Sequence, residues 1–574
     1  MEIEQREAAI GLELDAGDGR AVAHRALLAV MRRHDLLLIF LFLSGYFFFL
    51  LPDIRLPGIN DDEALTGIGA VDILRSEPGT ARRIPWACAS NPSNCISVPV
   101  SKGRLLPIMM TDSDSYLPAY LLIPFAFFFG VNLLSIRLLA VSLSFLTLIY
   151  LYLLLRAWFG RRIALAALVL IISNPVFVIY HKLACGIDDL FVTGFFWAGL
   201  YHLYRYYAGA RRGHLVAAAF CIGLGFQRIT VFWYIAGLLL ATAVLRKRLA
   251  HKILIRPRDL LFALPAFLAG SFFMLYHNLR TGFHTVAFMF ANLARPTHYG
   301  GNNLDFFVNL NIRLHHLVDS MVNGRLIGMG VGGDDFFSPN ALIFAAAIVF
   351  LMFFARRIDP QRRKKITCLA LIFAAVYMCS HITVSTFKRE HLYTLYFLPP
   401  IFTAAALFFL TEVMPYKRTA VCLAGILMTV MLASNIAGAA YDIRDLRKTG
   451  GRGRCSTAIP AVASWLDENR ITGPVIAYEL TPTIPFLTNR RVDVMDRDDY
   501  EPGEFCARLE HLLASGTDIY FVTAENINDY LNKKEFEEFL ASASSRGRAI
   551  SVVKVFNNRA GRPELVLHRI AHRK

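Results

Sequence analysis

Between residues 35 and 439 long apolar runs alternate with short polar breaks, and the runs recur at nearly the length a bilayer demands. A hydrocarbon core of about 30 Å takes about 20 apolar residues per helix. Stretches of that length or slightly less fall at 35–51, 133–155, 163–180, 189–207, 214–228, 230–245, 259–278, 339–355, 366–386, 392–410 and 418–439. The breaks carry basic clusters: "RRH" at 32–34, "RAWFGRR" at 156–162, "RYYAGARR" at 205–212, "RKRLAHKILIRPR" at 246–258, "RRIDPQRRKK" at 356–365 and "YKR" at 416–418. Cationic loops stay on the cytoplasmic side, which predicts about eleven membrane helices with the N-terminus inside and the C-terminus outside. The run "YLPAYLLIPFAFFFG" at 116–130 is short and broken by proline, and is expected as a juxtamembrane or re-entrant helix. If it crosses together with another broken run, the count rises to about thirteen.

Beyond residue 440 the pattern changes to that of a soluble unit. "PVIAYE", "DIYFVTA" and "ISVVKVF" read as buried strands, alternating with helical stretches around 457–470, 502–515 and 526–541. The expected architecture is therefore a polytopic α-helical membrane protein with a C-terminal extracytoplasmic α/β domain. It divides into a cytoplasmic tail at 1–34, a transmembrane domain at 35–440 with outer loops 53–115 and 280–338, and a soluble domain at 441–574. The charged first 34 residues and the long first apolar run argue for a retained anchor rather than a cleaved signal.

Composition supports this: of 574 residues, 55% are hydrophobic and only 18% charged, far from a soluble average. The net charge of +16 belongs to the clustered loops, a topological pattern rather than a nucleic-acid-binding face.

The ionisable residues outside those clusters fall on the expected outer face. Asp61, Asp62 and Glu63 open the first outer loop in "INDDEALT", and Asp112 and Asp114 close it. His181, Lys182, Asp188 and Asp189 lie between the third and fourth spans, and Gln227 and Arg228 make an outer turn. Asp334 and Asp335 end the second long outer loop, and Lys388, Arg389, Glu390 and His391 cap a later pair of helices. Ionisable groups at membrane depth are costly and usually line a functional cavity. Three adjacent acids repel one another unless cations or protons compensate, and helix capping needs only one of them. "GMGVGGDD" at 328–335 lacks the Gly-Lys-Ser/Thr ending of a phosphate loop, and His315 with His316 is no metal site without further ligands.

An Asp-Glu pair after the first span, a long outer loop ending in a Pro-Tyr element, then "FFFGVNLLSIRLLAVSLS", "SNPVFVIYHKLACGIDDLFVTGFFWAGL", "GLGFQRITVF" and "STFKREHLYTLYFLPPIFTAAALFFL" together resemble the polyprenol-dependent glycosyltransferases of the C superfamily. The order is most similar to the branch of the lipid A aminoarabinose transferases and protein O-mannosyltransferases. That resemblance implies transfer of a sugar, with inversion, from a polyprenyl-phosphate to a hydroxyl of a glycolipid, glycan or protein on the outer face of a bacterial inner membrane. It implies Asp62, with Glu63 and the extra Asp61, as catalytic residues, an Asp serving as general base. Arg228, Lys388 and Arg389 are implied as donors to the leaving phosphate. Asp112, Asp114, His181, Lys182, Asp188, Asp189, Gln227, His391 and Tyr393 are the implied sugar- or acceptor-binding set.

Two departures affect the donor. Leu65 stands where the aminoarabinose branch often has Arg, and Asp112 and Asp114 replace a Glu-Lys pair. Either other cations hold the phosphate, or the extra acids Asp61 and Asp62, with Asp188, bind a divalent metal. A transporter or flippase of a lipid-linked or anionic substrate is the alternative from another class; it predicts broken spans and internal symmetry, and no such repeat is visible. Of the nine cysteines, Cys88, Cys95, Cys455 and Cys506 share the oxidising side, with Cys88–Cys95 and Cys455–Cys506 as the expected pairs.

Overall fold

The computed structural model describes residues 37–74, 97–100, 104–110, 114–181, 187–209, 211–226, 235, 237, 239, 255–287, 305–322, 338–380, 392–471, 474–477, 480, 482–488, 492, 494–495, 504–524 and 549–571. The first part is a bundle of apolar helices and the last a small α/β unit. Among the described residues three helices are long and apolar enough to cross a membrane, Leu133–Phe159, Tyr393–Val413 and Lys417–Thr449. Pro257–Gly270 and Phe272–Arg280, bent by 76° at their junction, would make a fourth if they count as one span. Helices also occupy the other expected runs, including Leu37–Asp53, Ile187–Gly209, Arg212–Gly225, Asn340–Phe353 and Pro360–Cys379. Of the run 230–245 only residues 235, 237 and 239 are described.

The third run is not one helix. Arg161–Ser173 stops at Asn174, whose side chain accepts from the Val176 amide to begin Pro175–Tyr180. Proline suits the first helical turn and cannot continue the preceding helix, so the break is written into "SNP". The stretch at 116–130 forms the helix Leu117–Phe129, with Pro118, Ala119, Leu122 and Ala126 buried and Phe127 and Phe128 turned outward. The following helix, Leu133–Phe159, starts from a capping box in which Asn132 accepts from the Leu134 and Ser135 amides and Ser135 accepts from Asn132.

The final bundle helix runs on through residue 440 to Thr449 and ends at Gly450, whose φ of 77° is the left-handed cap that favours glycine. Its last turns, "YDIRDLRKT", carry the charge that reads as soluble in the sequence. Beyond them, helix Ala458–Glu468 lays Ile459, Val462, Ala463 and Leu466 against a five-stranded sheet.

An antiparallel hairpin, β1 (Ser97–Val100) and β2 (Arg104–Pro107), lies in the loop 53–115. The sheet contains β3 (Val475–Ala477), β4 (Val494–Met495), β5 (Ile519–Ala524), β6 (Ile550–Asn557) and β7 (Pro563–Ile570) in the order β4-β3-β5-β7-β6. β3 pairs in parallel with β4 and β5, placing Ile476 opposite Met495 and Phe521, whereas β5–β7 and β6–β7 are antiparallel. The three strands read from the sequence are present, but "ISVVKVF" is not buried. As β6 it is the sheet edge, with Val552 59% and Val555 44% exposed, and the buried Leu565 and Leu567 of β7 take the inner place. β-Branched composition marks a strand without saying whether it is central. The expected helix at 526–541 lies outside the described residues.

Candidate active site

The stretch "INDDE" builds its own helix start. Asn60 Oδ1 accepts from the Asp62 amide at 2.8 Å, and the Asn60 amide donates to Glu63 Oε2 at 3.0 Å, a reciprocal cap for helix Asp61–Leu74. All three acids occupy its first turn, where the helix dipole favours negative charge. They do not share one environment. Glu63 is fully buried, while Asp61 and Asp62 are half-buried.

Glu63 faces Arg137, one turn into helix Leu133–Phe159, and neither side chain has any exposure. Arg137 Nε donates to Glu63 Oε1 at 2.9 Å and Nη2 to Oε2 at 3.0 Å. Its remaining protons reach the carbonyls of Ile54 at 2.7 Å, Pro57 at 2.9 Å and Gly58 at 2.9 Å. A guanidinium has five N–H groups, and each has a partner here. Both Glu63 oxygens are thereby occupied, and the loop before the acids is wrapped around the arginine. The clue to Arg137 was a single Arg inside the apolar "LLSIRLLAVS", a charge that must find a partner at that depth.

Asp72 is a second residue that sequence reading passes over. Eleven positions after Asp61 it returns to the same helix face, which also carries buried Leu65 and Ile68. Tyr116 Oη donates to Asp72 Oδ2 at 3.4 Å, and this face packs on Met110, Tyr116 and Ala119. Asp114 is also buried, its backbone carbonyl accepting from the amide of Met110 at 2.8 Å. The closing segment of the loop 53–115 therefore reaches the acidic helix.

His181 and Tyr393 meet in one aromatic cluster. His181 is fully buried, with Nδ1 3.0 Å from Tyr46 Oη and its ring against Phe47 and Phe177. Burial pushes its pKa down to about 3, so the imidazole is neutral. Tyr393 stacks on Tyr180 at 4.7 Å and also meets Phe177. Among the described residues His181 Nε2 and Tyr393 Oη have no hydrogen-bond partner. Asp188 and Asp189 lie in the first turn of helix Ile187–Gly209, just before Thr193, whose hydroxyl is 2.5 Å from that of Thr394. That contact ties the start of their helix to the Tyr393 segment.

Asp112, Lys182, Gln227, Arg228, Lys388, Arg389 and His391 lie outside the described residues. Among the described residues no three His, Cys, Asp or Glu side chains converge as metal ligands. With Glu63 held by Arg137, a divalent ion at Asp61 and Asp62 would need donors beyond them. Cys455 is a buried free thiol that accepts from Asn60 Nδ2 at 3.5 Å, so the expected Cys455–Cys506 bond is absent. Cys88 and Cys95 lie outside the described residues. A cavity between bundle helices, lined by residues including Asn174, Asn340, Thr403 and Asn435, leaves about 20 Å³ open to the centre of a water molecule. That volume suits one water and not a sugar, and no candidate site residue lines it.

Residues 113–269 match the family of dolichyl-phosphate-mannose-protein mannosyltransferases. Among solved structures the chain is similar to ArnT from Cupriavidus metallidurans bound to undecaprenyl phosphate, at 13% identity and a TM-score of 0.57, over 92% of this chain and 97% of that one. It is also similar to the apo state of that ArnT, at 13% identity and a TM-score of 0.54, over 95% and 98% of the two chains. AglB from Archaeoglobus fulgidus, in complex with an inhibitory peptide and a dolichol-phosphate, matches at 13% identity and a TM-score of 0.48, over 86% of this chain and 70% of that one. No curated protein matches. The resemblance to C-superfamily glycosyltransferases of the aminoarabinose and mannosyltransferase branch is thus borne out, by a family match within the chain and by a fold shared with ArnT over nearly all of it.

Proposed function

We propose that the chain is an integral membrane glycosyltransferase that moves a sugar from a polyprenyl-phosphate donor to a hydroxyl of a glycolipid, glycan or protein on the outer face. The observation that carries this reading is the division of labour among adjacent acids: Glu63 is locked to Arg137, while Asp61 and Asp62 stand half-buried on the same helical turn. One carboxylate fixes the turn and its neighbours are presented from it. The match to mannosyltransferases and the ArnT fold support the substrate class. Broken helices of the kind a transporter would have occur at Asn174 and between Gly270 and Phe272, but Asp61, Asp62 and Asp114 lie outside them, which weighs against that alternative.

In the reaction, Asp62 takes the proton of the acceptor hydroxyl as its oxygen bonds to the anomeric carbon. The bond from that carbon to the phosphate oxygen breaks on the opposite side, its electron pair leaves with the lipid phosphate, and the configuration inverts. Arg228, Lys388 and Arg389 receive the charge developing on that phosphate. Asp112, Asp114, His181, Lys182, Asp188, Asp189, Gln227, His391 and Tyr393 surround sugar and acceptor; neutral His181 serves as a hydrogen-bonding group rather than a cation. The topology that goes with this places about eleven to thirteen spans in a bacterial inner membrane, with 53–115, 280–338 and 441–574 outside.

Three measurements test the reading. Cells lacking the protein should accumulate a lipid-linked sugar visible by mass spectrometry, and Asp62→Asn should abolish transfer with folding intact, Asp61→Asn having the milder effect. Full activity in both variants would remove the acids from the chemistry. For topology, a membrane-impermeant thiol reagent should reach Gly300→Cys and Tyr530→Cys in intact cells but not Ala210→Cys.

A further inference from the structure

The loop that carries the acids is held from two sides, and only one of them is the membrane bundle. Arg137 grips the carbonyls of Ile54, Pro57 and Gly58 from within. On the other side lies the entry to the α/β domain, "TGGRGRCS". The Gly58 amide donates to the Gly450 carbonyl at 3.2 Å, and a Cβ at Gly58 would sit 2.5 Å from the Ser456 carbonyl oxygen. A Cβ at Gly451, where φ is 92°, would sit 2.4 Å from Pro57 Cβ. Real side chains never come this close, so the contact depends on glycine in both strands of chain. Arg447 adds a two-pronged pair to Asp53 at 2.9–3.2 Å.

The same domain touches the acidic helix a second time. Phe486, in the helical turn Thr483–Leu487 after β3, presses on Gly67, one turn beyond Glu63; a Cβ there would lie 2.4 Å from the ring. The entry segment is itself tied to the β6–β7 hairpin. The Gly453 amide donates to Glu564 Oε1 at 2.6 Å, and the Arg559 amide donates to the Thr449 carbonyl at 3.1 Å. A continuous chain of contacts thus leads from the soluble sheet to the turn bearing Asp61 and Asp62.

We propose that the α/β domain is a clamp, with the 447–456 segment and Phe486 acting as positioning residues that fix the acidic helix against Arg137. It rests on the glycosyltransferase reading only for its activity readout. A base displaced by about 1 Å can cost two orders of magnitude in rate without touching substrate affinity. The clamp is therefore a requirement for turnover that a soluble appendage would not impose.

The test uses the full chain in lipid nanodiscs. Gly58→Ala pushes from the loop side, Phe486→Ala removes the contact from the domain side, and Phe486→Leu restores apolar bulk. Amide hydrogen exchange over 54–67 should rise in the two alanine variants and return toward wild type in Phe486→Leu. kcat should fall about tenfold or more in both alanine variants, with the donor KM within about twofold of wild type. Unchanged exchange over 54–67 in both alanine variants overturns the clamp whatever the activity shows, and so does wild-type kcat in both. A wild-type protein that transfers no sugar from any polyprenyl-phosphate donor sinks the glycosyltransferase reading instead, and leaves exchange alone to decide the clamp.

Discussion

The Glu63–Arg137 and Asp259–Arg212 pairs each join two helices, one at the expected outer side of the membrane and one at the expected cytoplasmic side, and they differ in how much water they keep. At the expected outer side Glu63 and Arg137 keep none: both side chains have zero exposure and the arginine's protons are shared between a carboxylate and three backbone carbonyls. At the expected cytoplasmic side Arg212 meets Asp259 at 3.0 Å, with the arginine 45% and the aspartate 5% exposed. Tyr206 Oη also donates to Asp259, and the guanidinium lies 4.2 Å from the centre of the Phe262 ring. The Arg212–Asp259 pair lies beside the basic stretches 205–212 and 246–258, which are expected to set orientation. The outer pair has taken on a structural task, fixing the turn from which two further acids project.

The largest effect should come from opening the outer pair. Arg137→Met leaves Glu63 buried without its counter-charge and strips donors from the Ile54, Pro57 and Gly58 carbonyls. Removing one partner of such a pair costs about 3–5 kcal/mol. Thermal inactivation of the purified protein should show that loss, and transfer activity should fall with it. Adding Glu63→Leu should recover part of the stability, because the orphaned charge is gone, but not all, because the three carbonyls still lack donors. Full recovery would mean that the carbonyl contacts carry no weight.

Next in size is an acid-side loss of stability traced to His181. Its folded pKa of about 3 lies below the ordinary value of about 6.5. As pH falls below about 6.5 the unfolded chain binds the proton and the folded one does not. The contribution present above that pH is therefore lost progressively down to about pH 3, at up to about 1.4 kcal/mol per pH unit. His181→Gln keeps a hydrogen-bonding group beside Tyr46 without titrating. Thermal midpoints at pH 7.5 and 5.0 should diverge more for wild type than for this variant, and equal divergence would remove His181 as the cause.

Much of this was legible in the sequence, and the misses share one cause. Hydropathy placed the helical runs because burial in lipid leaves a period-independent apolar signature. The acids were visible as a cluster because like charges side by side are rarely idle. What local sequence cannot register is a partner distant in the chain. Arg137 lies 74 positions from Glu63, Cys455 meets Asn60 rather than another thiol, and Phe486 reaches Gly67. β6 was recognised as a strand, yet its edge position depends on β7 folding back between it and β5. The helix ending at Thr449 was cut short for a related reason: its charged last turns are stabilised by contacts such as Arg447 with Asp53, far upstream.

The smallest effect should come from the inner pair, and it sharpens the contrast most directly. Arg212→Met removes the same guanidinium from a comparable inter-helix carboxylate, but water can replace much of what Arg212 supplied because the arginine is nearly half exposed. Exposed or partly exposed pairs contribute about 0–1 kcal/mol. The methionine chain also keeps some of the apolar contact with Phe262, and Tyr206 continues to donate to Asp259. The thermal midpoint of Arg212→Met should therefore lie close to wild type, with transfer activity unchanged and a small further drop at low salt, where the lost attraction is least screened. A loss equal to that of Arg137→Met would show that desolvation is not what separates the two pairs, and the distinction between a structural pair and an orienting one would fall with it.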